Sequence, residues 1–295
     1  MFHSLTERQR AAAFYLLTLA MAVIVALFGP ADAGQIQILS MLTPTVGVLL
    51  MLLVITPDGY RRKGWAQLAL RRVGWRYWPL AVLAPAAILG ASYGAATLSG
   101  VVSLRLAPGA LIKDLVAGIV IGSALAFFEE IGWRGYLLPK LATGLRRGAP
   151  ALVGFLHGVW HVPLMLFTTA YNPAGNRFVI VPIFLAVLTS GGVVYGYVRA
   201  ASGSIWPVVV MHGTFNAVLG TLAASAVIDH PVTAAYLTAE TGVFTLAATV
   251  IAAAILTARR PAPHRANQPH PRPAPDEDRR HPSSAQSPAA EGQHP

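Results

Sequence analysis

The chain contains no cysteine. A disulfide framework, a thiolate nucleophile and any cysteine-based metal site are thereby excluded, with nothing implied about compartment. Charge is scarce too: Asp, Glu, Lys and Arg make up 12% of 295 residues, about half the share of an ordinary soluble domain. Acids are the rarer sign, 12 against 22 Lys and Arg, giving a formal net charge of +10. Such an excess could suit nucleic acid, but a nucleic-acid binder gathers its basic side chains on a folded face. Here they fall between apolar runs, so nucleic acid is not an expected partner. What the chain does have is grease, 55% hydrophobic residues, and membrane lipids are the expected surroundings.

Runs of about 20 apolar residues, enough to cross a bilayer, lie near Ala11–Pro30, Ile36–Thr56, Trp78–Gly100, Ile112–Leu138, Ala149–Ala170, Phe178–Val198, Ile205–Ala226 and Val232–Ala258, the last interrupted by Glu240. The expected fold class is therefore all-α, a polytopic membrane protein of about eight transmembrane helices. An even count puts both ends on one side. That side collects Arg8, Arg10, Arg61, Arg62, Lys63, Arg71, Arg72, Arg76, Arg134, Lys140, Arg146, Arg147 and Arg199, against Arg105, Lys113 and Arg177 opposite. By the positive-inside rule both termini are expected in the cytoplasm. The first run exceeds a typical signal h-region and is expected to be a retained helix. The mixture of arginine with Trp65, Leu68, Leu70, Val73 and Trp75 between Tyr60 and Trp78 predicts an interfacial helix. Residues 1–258 are read as one membrane domain and 259–295, rich in Pro, His and Arg, as a disordered cytoplasmic tail.

The stretch AFFEEIGWRG, residues 126–135, sets two glutamates and an arginine inside the fourth run. A charge at bilayer depth costs at least about 2.5 to 3.5 kcal/mol, so such groups pair, face a wet cavity or do chemistry. Glu130 and Arg134 are spaced i, i+4 with the acid first, the favourable order for an ion pair. Glu129 points about 100° away along the helix, with no local partner of opposite charge. It is the candidate general base, and Glu130 the structural acid. Histidines enter two further runs: His157 and His161 share a face of the fifth, His212 and Asn216 a face of the seventh. At about 1.5 Å per residue, Glu129, His161 and His212 lie roughly 14, 18 and 10 Å from the arginine-rich side. They are expected to meet in one cavity open to the cytosol. A carboxylate, imidazoles and an amide suit hydrolysis, with water deprotonated, oriented and its tetrahedral oxyanion stabilised. Ser190 and Ser204 have no local acid and base and make a serine enzyme a poor fit.

Glu129-Glu130-x-x-x-Arg134, then His161 in WHVPL, then His212-x-x-x-Asn216 resemble the motifs of the CAAX protease and bacteriocin-processing (CPBP) family of intramembrane endopeptidases, also called the Abi or type II CAAX prenyl protease family. The motifs span Phe127 to Ala217. The resemblance implies a glutamate-dependent peptidase without a cofactor. Glu129 would activate water, His161 would orient it, His212 and Asn216 would stabilise the oxyanion, and Glu130 and Arg134 would support the site. The chain departs from the family at His157, where an aromatic residue is usual. That departure keeps a zinc site open: His157 and His161 at i, i+4, with His212 or Glu129 as third ligand. Against it, Gly158 stands where the helical zinc motif carries glutamate.

Eukaryotic members trim prenylated C-terminal peptides, and bacterial relatives are linked to peptide processing or immunity. Lysine stands at three positions only, 63, 113 and 140, the usage of a GC-rich bacterial genome. A bacterial cell membrane is therefore expected, with a peptide or protein substrate other than a prenylated one reaching the cavity from the cytoplasmic side. Rival classes are a non-catalytic scaffold or immunity protein and a small transporter. Gly192-x-x-x-Gly196 would serve close helix packing in any of them. A transporter should show repeated halves, and a degenerate relative a lost motif residue; neither is evident.

Overall fold

The computed structural model describes residues 5–105, 108–169 and 174–258. The expected tail, 259–295, and the end of the fifth run at Ala170 lie outside the described residues. In chain order the helices are α1 (Glu7–Phe28), α2 (Ala33–Leu50), α3 (Arg62–Ala66), α4 (Trp78–Leu98), α5 (Pro108–Glu130), α6 (Leu138–Leu145), α7 (Ala149–Phe167), α8 (Arg177–Ser202), α9 (Trp206–Ser225), α10 (Pro231–Leu237) and α11 (Val243–Ala258). Two-residue strands β1 (Ser103–Leu104) and β2 (Ala226–Val227) pair antiparallel. The fold is all-α and polytopic.

Local chemistry starts the helices where polar side chains can satisfy the first backbone amides. Thr6 and Gln9 close a capping box on α1, Asp32 accepts from the Gln35 amide at 2.8 Å, and Asn176 accepts from the Phe178 amide at 2.9 Å. Among the described residues, six helical stretches are long and apolar enough to cross a membrane. One of them, Leu111–Phe167, runs for 57 residues through α5, α6 and α7. It is broken before α7, where Arg146 has φ 43°. The length criterion therefore does not itself return the expected count of eight.

Two expectations are corrected. The run Val232–Ala258 is not one span: α10 ends at Leu237, a 3-10 turn covers Ala239–Thr241, and α11 is 16 residues long. Ala239 takes φ 57°, and the Thr238 and Thr241 hydroxyls turn back to the Ala234 and Ala235 carbonyls at 2.8 Å, so backbone groups in the break are satisfied locally. The segment Tyr60–Trp78 is not one interfacial helix either, because Ala69 at φ 55° and Gly74 at φ 70° interrupt it. Its apolar residues divide accordingly, with Leu68 fully buried and Trp75 71% exposed.

The ends expected to share a side do meet. Lys140 donates to Glu7 at 3.0 Å and to Gln67 at 3.3 Å, Arg10 pairs with Asp58, and Arg199 reaches the Gln67 carbonyl at 3.3 Å. This is the arginine-rich end of the bundle. The other end joins Arg177 to the Met165 and Leu166 carbonyls and the Asn176 amide to Tyr236.

Two seams of small residues hold the site-bearing helices together. Between α5 and α9, a Cβ added to Gly213 would strike Ser123, one added to Gly122 would lie 2.9 Å from the Gly213 carbonyl oxygen, and Gly118 faces Ala217. Between α7 and α8, a Cβ on Gly192 would come within 2.5 Å of the Pro150 carbonyl oxygen and 2.7 Å of the Gly154 Cα. The glycine pair at 192 and 196 thus serves close approach, through α7 rather than another copy of α8. Gly192→Ala is expected to cost about 1–3 kcal/mol by overpacking and to lower the thermal unfolding midpoint in detergent. Gly90→Ala, where an added Cβ meets nothing within 4 Å, should leave that midpoint unchanged.

Candidate active site

α5 reaches the site and then widens. Residues Ile131–Leu137 form a π-helical turn, all seven buried, a feature often found at functional positions because it re-aims side chains without ending the helix. α2 packs into it: Gly132 lies against Pro44, and Thr45 donates its hydroxyl to the Phe128 carbonyl at 2.6 Å. Glu129 and Glu130 therefore sit at the junction of α-helix and π-turn, 2% and 0% exposed.

The expected ion pair forms, with Arg134 Nη1 donating to Glu130 Oε1 at 2.7 Å. The same oxygen accepts from His212 Nδ1 of α9 at 2.9 Å, so one carboxylate holds both a cation and an imidazole. The guanidinium also lies 4.6 Å from the centre of the Tyr195 ring on α8, a cation–π contact that helps keep it out of water. Glu129, however, is not without a partner. His157 of α7 meets its Oε2 with Nε2 at 2.8 Å. Local helical spacing could not reveal this, since the partner arrives from 28 positions away on another helix.

His157 is walled by aromatic rings, stacked on Trp133 with centroids 5.0 Å apart and beside Trp160 at 5.8 Å. Trp160 is fixed by its indole N–H donating to Thr43 at 3.1 Å. One turn on, His161 lies 5.1 Å from the His157 ring and meets the edge of Phe184 at 5.7 Å. His212 is 5.9 Å from His157 on the opposite flank. The three spans bearing the sequence-predicted residues are thus brought together.

A cavity of about 690 Å³ runs along α2, α5, α7 and α9, and Glu129, His161, His212 and Asn216 all line it. A smaller one of about 70 Å³ lies behind, sharing His161, His212 and Asn216 and adding His157, Arg134 and Tyr195. Glu240, read from the sequence only as an interruption, lines both. The acid in an otherwise apolar run was itself the available signal. The larger cavity also touches Gln37 near the start of α2 and Ala223 near the end of α9, which is the arginine-poor end of the bundle. At the arginine-rich end the π-turn and α6 place the Trp133, Tyr136, Leu137 and Lys140 side chains, all buried.

Of the two third ligands weighed beside His157 and His161, the structure sets Glu129 nearest to them. The groups whose ligand atoms lie within 4.8 Å of one another are Glu129, His157 and His161. His212 is outside this set among the described residues, its Nδ1 engaged by Glu130.

Residues 111–218 match the family model described as type II CAAX prenyl endopeptidase Rce1-like. The matched segment runs from α5 to α9 and contains Glu129, Glu130, Arg134, His157, His161, His212 and Asn216. No curated protein matches the chain. Match and fold together indicate an integral membrane protein that, over this segment, is similar to the Rce1-like endopeptidases.

Because Glu130 and Arg134 are both buried, removing one partner strands the other. Arg134→Met is expected to destabilise the protein by about 3–5 kcal/mol. The double variant Glu130→Gln, Arg134→Met should cost less than Arg134→Met alone, a sign of coupling that denaturation of the purified variants would measure.

Proposed function

We propose that the protein is an intramembrane endopeptidase that hydrolyses a peptide bond of a membrane-associated peptide or protein, using water activated by Glu129. The observation that carries this reading is the meeting of Glu129, His161, His212 and Asn216, from three helices, around one cavity of about 690 Å³. Glu129 accepts the proton of the attacking water and passes it to the leaving amine, the general-base and general-acid roles in turn. His161 orients that water. As the carbonyl becomes tetrahedral, the Asn216 amide donates to the oxyanion, and His212, held at Nδ1 by Glu130 at 2.9 Å, donates from Nε2 when that atom carries a proton. Arg134 neutralises Glu130, and the charge of a His212 that donates from both ring nitrogens is compensated by the oxyanion it faces.

The mechanism uses no cofactor. His157 Nε2 and Glu129 Oε2, 2.8 Å apart, are engaged with each other. A metal-bound imidazole also directs its outer nitrogen at an acceptor, whereas His157 Nδ1 faces the Arg134 guanidinium at 3.4 Å.

The arginine-rich end faces the cytoplasm of a bacterial cell in this reading, by the positive-inside rule. Substrate enters along the larger cavity, whose lining extends from Glu129 to Gln37 and Ala223. A peptide lying in the bilayer meets that lining without first crossing the arginine-rich end.

Glu129→Gln keeps the shape of the side chain and removes the base. In proteoliposomes incubated with a peptide library, it should reduce cleavage at least about 100-fold, and wild-type cleavage should persist in strong chelators. Cleavage by a well-folded Glu129→Gln protein at the wild-type rate would overturn the assignment.

A further inference from the structure

His157 is the one buried imidazole of the site that the proposed hydrolysis leaves idle. It stands where the Rce1-like resemblance carries an aromatic ring, and it keeps the aromatic environment, stacked on Trp133 and flanked by Trp160. Unlike that aromatic ring, the imidazole buries two nitrogens that need hydrogen-bond partners. Both nitrogens have one: Nε2 meets Glu129 Oε2 at 2.8 Å, and Nδ1 meets Arg134 Nη1 at 3.4 Å.

These two neighbours fix the tautomer between them. A guanidinium has five N–H donors and no acceptor, so an imidazole nitrogen facing it must be the bare, accepting one. A second proton on Nδ1 would also set cation against cation in a site closed to water. The single ring proton therefore resides on Nε2 and is donated to Glu129. The other imidazoles facing the ring are His161 at 5.1 Å and His212 at 5.9 Å between centroids.

We infer that His157 is a positioning residue for the proposed base: the chain Arg134, His157, Glu129 binds one carboxylate oxygen of Glu129 and leaves the other to take the proton of water. The inference rests on the reading of Glu129 as the base. It links the two acids through one cation, since Arg134 pairs with Glu130 directly at 2.7 Å and with Glu129 by way of the imidazole. A carboxylate held by a single N–H donor has one rotational setting rather than several, and orientation of that kind contributes to the rate of the chemical step rather than to substrate binding.

The test uses the full-length protein in proteoliposomes with a peptide that the wild type cleaves. His157→Phe fills the ring space and removes the donor, whereas His157→Gln returns an N–H close to the Nε2 position. For His157→Phe, kcat should fall about 100-fold with KM within about twofold. His157→Gln should recover kcat to within about tenfold of wild type, with both variants folded at the assay temperature. Equal kcat for the two variants, or a wild-type kcat for His157→Phe beside an inactive Glu129→Gln, overturns the inference and leaves the base assignment standing. An active Glu129→Gln overturns the base assignment instead. A readout independent of turnover is the nitrogen-15 spectrum of histidine-labelled protein in micelles, compared with His157→Phe to assign the signal. A proton on Nε2 alone supports the inference, and one on Nδ1 overturns it.

Discussion

Two adjacent carboxylates buried in an apolar bundle constrain everything around them. Each needs hydrogen-bond donors that lipid cannot supply, and neighbours on a helix point in different directions, so one donor cannot serve both. The chain resolves this by dividing the task. Glu130 takes the arginine one turn on and an imidazole from α9; Glu129 takes an imidazole from α7. The positions of α7 and α9 against α5 follow from this division, and the glycine seams allow the helices to come near enough to satisfy it.

In the proposed hydrolysis the division also separates supporting from reacting roles. A carboxylate that shares one oxygen between a guanidinium and a ring is held from two sides and has little freedom to exchange protons with a substrate. A carboxylate held from one side by a neutral ring keeps an oxygen for chemistry. That asymmetry, rather than depth or burial, distinguishes two residues that are neighbours in sequence and almost equally hidden.

Much of this was legible beforehand. The helices follow from runs of apolar residues with polar caps, and the ion pair between Glu130 and Arg134 follows from spacing on one helix. Convergence of Glu129, His161, His212 and Asn216 followed from comparable depths on three spans. The contact between Glu129 and His157 did not, because periodicity orders residues within a helix but carries nothing about rotation between helices. The break at Glu240 was visible only as an anomaly: propensity over Val232–Ala258 favours a continuous span, and turn formation by Thr238, Ala239 and Thr241 prevailed locally. The extent of the cavity toward Gln37 and Ala223 was not legible for a related reason. Counting arginines orients the ends of helices, whereas the space between them is decided by which side chains are bulky.

The break between α10 and α11 has a consequence for the hollow itself. It sets Ala239, Glu240 and Thr241 along the same cavity that Glu129 lines, so a turn supplies polar groups to a wall that a continuous apolar helix would have lined with hydrocarbon.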